Sequence, residues 1–167
     1  PLGFTVADET LALMARMATS GELATLSAER VWAELAKVLD VHGGAVFVDV
    51  LRRVGALVPW FLEWTAREPA PDSLADMGPD DWTLARRFAL FCAALPAADA
   101  VLAARRLKAP KPCQELARLS CAEAADLAGW RQLPSPALLD LLQRCDALRR
   151  QDRFAALCEV RAALGEH

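Results

Sequence analysis

The chain contains no tyrosine and only two histidines, His42 and His167. So few imidazoles supply neither a metal phosphohydrolase nor a histidine-centred catalytic triad, and His42 reads as an exposed loop residue. No two aspartates stand two apart, so the Asp-x-Asp pair that holds magnesium in two-metal phosphoryl transfer is absent. The five cysteines are odd in number and never spaced C-x-x-C, which fits a reducing cytoplasm better than a disulfide framework. Cys113 and Cys121 share a helix face two turns apart but have no further ligands at zinc spacing, so the cysteines read as small core residues. No apolar run reaches the roughly 18 to 20 residues of a membrane span, and no signal peptide is visible. The net charge of -3, with a pI near 5.4, leaves no overall basic field for nucleic acid. Any RNA contact must therefore come from local arginine clusters. The abrupt opening at Pro1-Leu2-Gly3 leads to the expectation of a longer natural protein.

What is present is apolar and helical. Hydrophobic residues make up 54% of the 167, against 25% charged, enough for one medium domain or two small ones. The clearest pattern lies at 27–40. Ser27 is a good N-cap, Glu29 suits the positive end of the helix dipole, and Val31, Leu35, Val38 and Leu39 form one apolar stripe. Arg30 fits badly. It places a cation in the first turn, and its partner at i+4, Glu34, comes in the weaker Arg-before-Glu order. A residue that costs local helix stability calls for a tertiary role.

Helical spacing also predicts helices over 8–18, 45–54, 60–67, 81–95, 97–107, 113–127, 136–148 and 153–164, with Gly55 as a C-cap and 130–134 as a loop. Residues 68–80 hold three prolines and one glycine and read as the only linker. No strand-like alternation occurs. The expected fold is all-α, a bundle over 1–67 joined by 68–80 to a second bundle over 81–167.

Two features invite a chemical reading. Gly43-Gly44-Ala45-Val46 resembles the nucleotide-binding turn of polymerase-β-like nucleotidyltransferases, but Phe47-Val48 stands where Arg-Asp would follow, so a loop and helix start is the better account. Arg52-Arg53, Arg86-Arg87, Arg105-Arg106-Lys108-Lys111 and Arg149-Arg150-x-x-Arg153 are basic groups, mostly near helix ends. A solvated helix end is the default reading for each, and phosphate contact the sharper one. Arg149, Arg150 and Arg153 are the best RNA candidates because Phe154 adjoins them, and Arg105 and Arg106 follow.

Leu2-Gly3-Phe4-Thr5-Val6 and Glu9-Thr10-Leu11-Ala12-Leu13-Met14 resemble the start of the neck helices of bacterial CCA-adding tRNA nucleotidyltransferases, relatives of the poly(A) polymerases. Ser20-Gly21-Glu22-Leu23 continues in register. Ser27, Arg30, Glu34 and Leu35 match the last of that family's motifs, within the Glu29-Arg30-Val31-Trp32 run of proteobacterial members. Leu51-Arg52-x-x-Gly55-Ala56-Leu57 extends the match. Thinner similarity recurs at Phe88-Ala89-x-x-Cys92 and at Cys145-Asp146-Ala147-x-Arg149-Arg150-x-x-Arg153-Phe154.

The resemblance implies the neck and body of such a protein, the C-terminal region that holds the tRNA. The catalytic head, with its glycine turn, metal carboxylates and base-selecting Glu-Asp-x-x-Arg motif, is not represented. Mg2+ and CTP or ATP would belong to that head, a partner in cis or in trans, and no cofactor is expected in this chain. Ser27, Arg30 and Glu34 would brace the neck, which would account for the misplaced Arg30. Some members carry a His-Asp hydrolase domain after the neck. Here Cys92-Ala93-Ala94-Leu95 replaces the expected Cys-His-Asp-Leu, so a second half of that origin would be a scaffold without its metal ligands. Two functions follow: an RNA-binding region of a nucleotidyltransferase-like protein, inactive alone, or a degenerate stand-alone protein-interaction scaffold using Trp60, Trp64 and Trp130.

Overall fold

A computed structural model describes residues 6–66 and 78–165. Among them lie nine α-helices and no strand, so the all-α expectation holds. α1 (Asp8–Thr19) is followed by a 3-10 turn at Glu22–Thr25, then α2 (Ala28–Asp40) and α3 (Gly44–Arg53). Ser27 caps α2 as its sequence demands, its Oγ accepting from the Arg30 backbone N–H at 3.3 Å. Leu35 and Leu39 are fully buried, the centre of the predicted stripe. α3 ends with Gly55 in the left-handed region at φ 71°, where the Ala56 N–H reaches back to the Leu51 carbonyl at 2.7 Å.

The helix expected at 60–67 is a 3-10 turn, Leu62–Trp64. Phe61, at φ -123°, leaves helical geometry, and it and Trp64 both turn into the core; Arg67 lies outside the described residues. Core packing overrides local spacing here. It also corrects the surface role of two tryptophans: Trp64 is buried, and half-buried Trp60 donates its indole N–H to the Leu23 carbonyl at 2.8 Å. Trp130 is exposed.

After the expected linker, residues 68–77 of which lie outside the described residues, come α4 (Leu84–Cys92), α5 (Ala97–Arg106) and α6 (Lys111–Ala122). α7 (Ala124–Ala128), α8 (Ser135–Arg144) and α9 (Gln151–Ala163) complete the chain. α4 is shorter than the predicted 81–95 and is the central helix, with Phe88 through Cys92 all buried and α2, α6 and α9 packed around it. The single helix predicted at 113–127 breaks at Glu123, whose buried carboxylate accepts from Arg144 Nε at 2.9 Å. α8 stops at Arg144 rather than near 148, because Asp146 takes φ 52° and the Ala147 N–H closes onto the Leu142 carbonyl. The predicted loop 130–134 contains a 3-10 turn, Trp130–Gln132.

Residues on both sides of 68–80 share one hydrophobic core, which runs from Leu35 and Trp64 to Phe88, Leu116 and Val160. The Trp32 and Phe88 rings meet edge to face at 5.0 Å. Arg87, 4% exposed, donates to the carbonyls of Asp40 at 2.9 Å and Asp80 at 3.0 Å, tying the end of α2 to the entry of α4. The division at 68–80 thus separates no two cores among the described residues. His42, expected to be exposed, is half-buried at φ 58°, with Nε2 3.2 Å from Asp80 Oδ1. Cys92, Cys113 and Cys145 are buried as expected, Cys121 is half-buried, and Cys158 is exposed, a correction to its core reading.

Candidate nucleic-acid interface

α6 carries Lys111, Glu115 and Arg118 at i, i+4 and i+7, a spacing that sets the three along one stripe. That stripe lies between two grooves. On one side, Val101, Ala104 and Arg105 of α5 face Lys111, Gln114, Glu115 and Arg118 across a cavity of about 190 Å3. The small Ala104 helps the α5 wall lie low between the longer polar side chains. On the other side, Lys111 and Glu115 face Arg150, Asp152 and Arg153 across a cavity of about 420 Å3. Lys111 and Glu115 line both.

Glu115 is the electrostatic centre. Its Oε2 accepts from Arg150 Nη1 at 3.1 Å and Arg153 Nη1 at 3.2 Å, and its Oε1 lies 3.9 Å from Lys111 Nζ. Arg153 is largely covered and also donates to the Cys145 carbonyl at 2.9 Å, so it builds the corner as much as it displays charge. Arg149 is open to solvent, 4.0 Å from Asp146. Arg105 and Arg118 are exposed and have no carboxylate partner among the described residues. Six cations (Arg105, Lys111, Arg118, Arg149, Arg150, Arg153) thus gather around three carboxylates, Glu115, Asp146 and Asp152, on a chain whose net charge is -3.

The structure therefore brings Arg105 into the same region as Arg149, Arg150 and Arg153, and leaves Arg106 out. Arg106 turns to the other side of α5, as adjacent helical residues do, and grips Glu63 with two hydrogen bonds of 2.6 and 2.7 Å. Phe154, an RNA candidate because it adjoins these arginines, packs half-buried against the core. Other basic pairs are also structural: Arg86 meets Glu159 at 2.6 Å, and Arg52 donates to the Trp64 carbonyl at 3.2 Å. Lys108 meets Glu29 at 2.6 Å, and that hydrogen bond holds the Glu29 carboxyl below its ordinary range. Arg118 escaped the sequence reading because it has no basic neighbour in the chain; its spacing from Lys111 was the only signal.

Arg30 and Glu34 do not pair. Glu34 accepts from Lys37 at 2.9 Å, and the Arg30 guanidinium is exposed without an ion-pair partner among the described residues. Both rim a groove of about 310 Å3 whose walls are apolar, Val31, Phe47, Leu51 and Trp60 among them. Ser27 is a helix cap. No cluster of three or more His, Cys, Asp or Glu that could hold a metal occurs among the described residues, and none of their helices is long and apolar enough to cross a membrane.

Residues 3–67 match the family model described as "Probable RNA and SrmB- binding site of polymerase A". The chain is 37% identical over 163 residues to the CCA-adding enzyme of Marinobacter nauticus, covering 94% of this chain and 44% of that protein. It is 40% identical over 165 residues to the Multifunctional CCA protein of Pseudomonas putida, covering 97% of this chain and 45% of that one. The CCA-adding enzyme of Bordetella pertussis is 40% identical over 162 residues, 95% of this chain and 43% of its own length. The chain belongs to the CCA-adding enzyme and poly(A) polymerase family. It spans less than half the length of these relatives. No solved structure matches it. The family model falls on α1 to α3 with Ser27, Arg30 and Glu34, whereas the cations of α5, α6 and α9 lie beyond residue 67, within the longer similarity to the CCA proteins.

Proposed function

We propose that this chain is the RNA-binding helical region of a CCA-adding-type tRNA nucleotidyltransferase, working in the cytoplasm and inactive without a catalytic head supplied in cis or in trans. The observation that carries the reading is the concentration of six cations around α6 on an otherwise acidic protein. Such a patch binds phosphates through arginine forks and local field without a basic overall composition. Similarity to CCA proteins over most of the chain supports tRNA as the partner. Mg2+ and CTP or ATP belong to the head in this reading.

The test is tRNA binding by fluorescence anisotropy between roughly 25 and 200 mM salt. The expected result is a linear fall of log K with log salt, and a shallower slope in Arg149→Ala/Arg150→Ala, whose side chains are exposed enough to spare the fold. Binding that is absent at low salt, or a slope unchanged in the double variant, refutes it. Magnesium-dependent incorporation of CMP or AMP into tRNA by this chain alone would refute the division of labour.

A second reading, a protein-interaction scaffold, draws on α1, which buries none of its residues and exposes Leu13 and Met17. Under that reading, alanine substitution of the arginines leaves partner binding unchanged.

A further inference from the structure

The two grooves beside α6 differ in what their cations already hold. Lys111, Arg150 and Arg153 share the Glu115 carboxylate, Arg150 also lies 3.7 Å from Asp146, and a phosphate that binds them must compete with these anions. Arg105 and Arg118 hold no carboxylate among the described residues, so a phosphate gains their charge without displacing an internal anion. They face one another across the smaller groove, on the last turn of α5 and the third turn of α6. Of the other polar residues lining that groove, Gln114 donates its amide to the Ala109 carbonyl at 2.6 Å, and Glu115 is held by Lys111, Arg150 and Arg153.

We propose that the α5–α6 groove is the principal phosphate site on this chain: Arg105 and Arg118 clamp a backbone phosphate of the bound RNA, and Glu115 holds the neighbouring cations of α9 in reserve as a weaker extension of the same track. This deepens the RNA-binding reading and rests on it. It reverses the order read from the sequence, in which the arginines flanking Phe154 came first. Glu115 is a positioning residue here. Its carboxylate sets the geometry of Arg150 and Arg153 and, in doing so, neutralises part of their charge.

The experiment compares the salt dependence of tRNA binding in the whole chain with that of Arg118→Ala, Arg105→Ala, Arg150→Ala and Glu115→Gln. Arg118 and Arg105 are exposed on helices, where alanine is a good substitute, and unchanged thermal melting confirms the fold of each variant. Loss of one phosphate contact flattens the slope by about 0.7 to 0.9, expected for Arg118→Ala and for Arg105→Ala. Arg150→Ala is expected to flatten it by less than half as much. Glu115→Gln is expected to steepen it, because Lys111 is released to the RNA and Arg150 keeps only Asp146. If the unsubstituted chain does not bind tRNA, the RNA-binding reading falls and this inference with it. If it binds, and Arg150→Ala flattens the slope while Arg118→Ala and Arg105→Ala do not, this inference alone is overturned. Weaker tRNA binding by Glu115→Gln overturns it as well.

Discussion

Replacing Arg87 by methionine tests whether the two halves of this chain are one cooperative unit. The Arg87 side chain sits 4% exposed between α2, α4 and the segment entering α4. One Nη1 donates to the Asp40 carbonyl at 2.9 Å, with the Leu39 carbonyl and Asp40 Oδ1 at 3.4 Å, and Nη2 donates to the carbonyls of Pro79 at 3.2 Å and Asp80 at 3.0 Å. Leu39 and Asp40 carry two of the last carbonyls of α2, a helix end that favours a cation, and the Leu39 carbonyl also accepts from the His42 N–H at 3.3 Å. Three of the contacts are short, and hydrogen bonds to a charged group each contribute about 1.5 to 3 kcal/mol. Against them stands the cost of burying a guanidinium, including an Nε with no partner. Methionine keeps most of the stem's packing and releases that cost, but strands the carbonyls of Asp40 and Asp80, whereas those of Leu39 and Pro79 keep the His42 and Trp82 N–H groups. The expected net loss is about 3 kcal/mol, or roughly 6 to 12 °C in melting temperature for a chain of this size. Urea titrations followed by far-UV circular dichroism and by tryptophan fluorescence measure it, since Trp32 and Trp64 report on the shared core. A loss below about 1 kcal/mol refutes the argument. Transitions that separate between the two probes in the unsubstituted chain would refute the single core instead.

The Arg106–Glu63 pair ties the halves together on another side of the fold. Glu63 is 6% exposed in its side chain, so Glu63→Gln leaves Arg106 facing a neutral amide; the expected loss is about 2 to 3 kcal/mol, discounted because Arg106 is partly open to water. A smaller loss than from truncating an exposed pair such as Lys108–Glu29 would refute this. Burial pushes the Cys113, Cys121 and Cys145 thiols up to about 11, and Cys92 also rises by burial. Unfolded thiols ionise near 9, so between about 9 and 11 the unfolded chain loses protons that the folded chain keeps. Stability is therefore full below about pH 9 and falls as pH rises toward 11; a urea midpoint that stays flat from about pH 8 to 10.5 contradicts this.

Part of the molecule was legible residue by residue. Ser27 caps α2, Leu35 and Leu39 are buried, and Gly55 takes the left-handed turn, because each depends on partners within one or two turns of chain. Periodicity misled where it continued through a break. The apolar spacing at 113–127 runs on across Glu123, but that carboxylate is turned inward to Arg144, 21 residues away. At 60–67, where Pro59 suggested the start of a helix, Phe61 and Trp64 are drawn into the core instead. Arg105 and Arg106 looked equivalent as neighbours, yet about 100° of helix rotation gives one to the groove and the other to Glu63.

The sequence by itself determined the helical class, the caps and the apolar stripes, and its likeness to the CCA proteins over most of its length places the chain in its family. These rest on local spacing and residue type. Only the tertiary structure decided what each arginine does. Arg87 and Arg106 bind groups more than forty residues away, Arg153 holds a corner together, and Arg105 and Arg118 are left with charge to offer. Whether a cation is a strut or a binding group depends on whether a carboxylate or carbonyl reaches it, and folding alone brings those partners near.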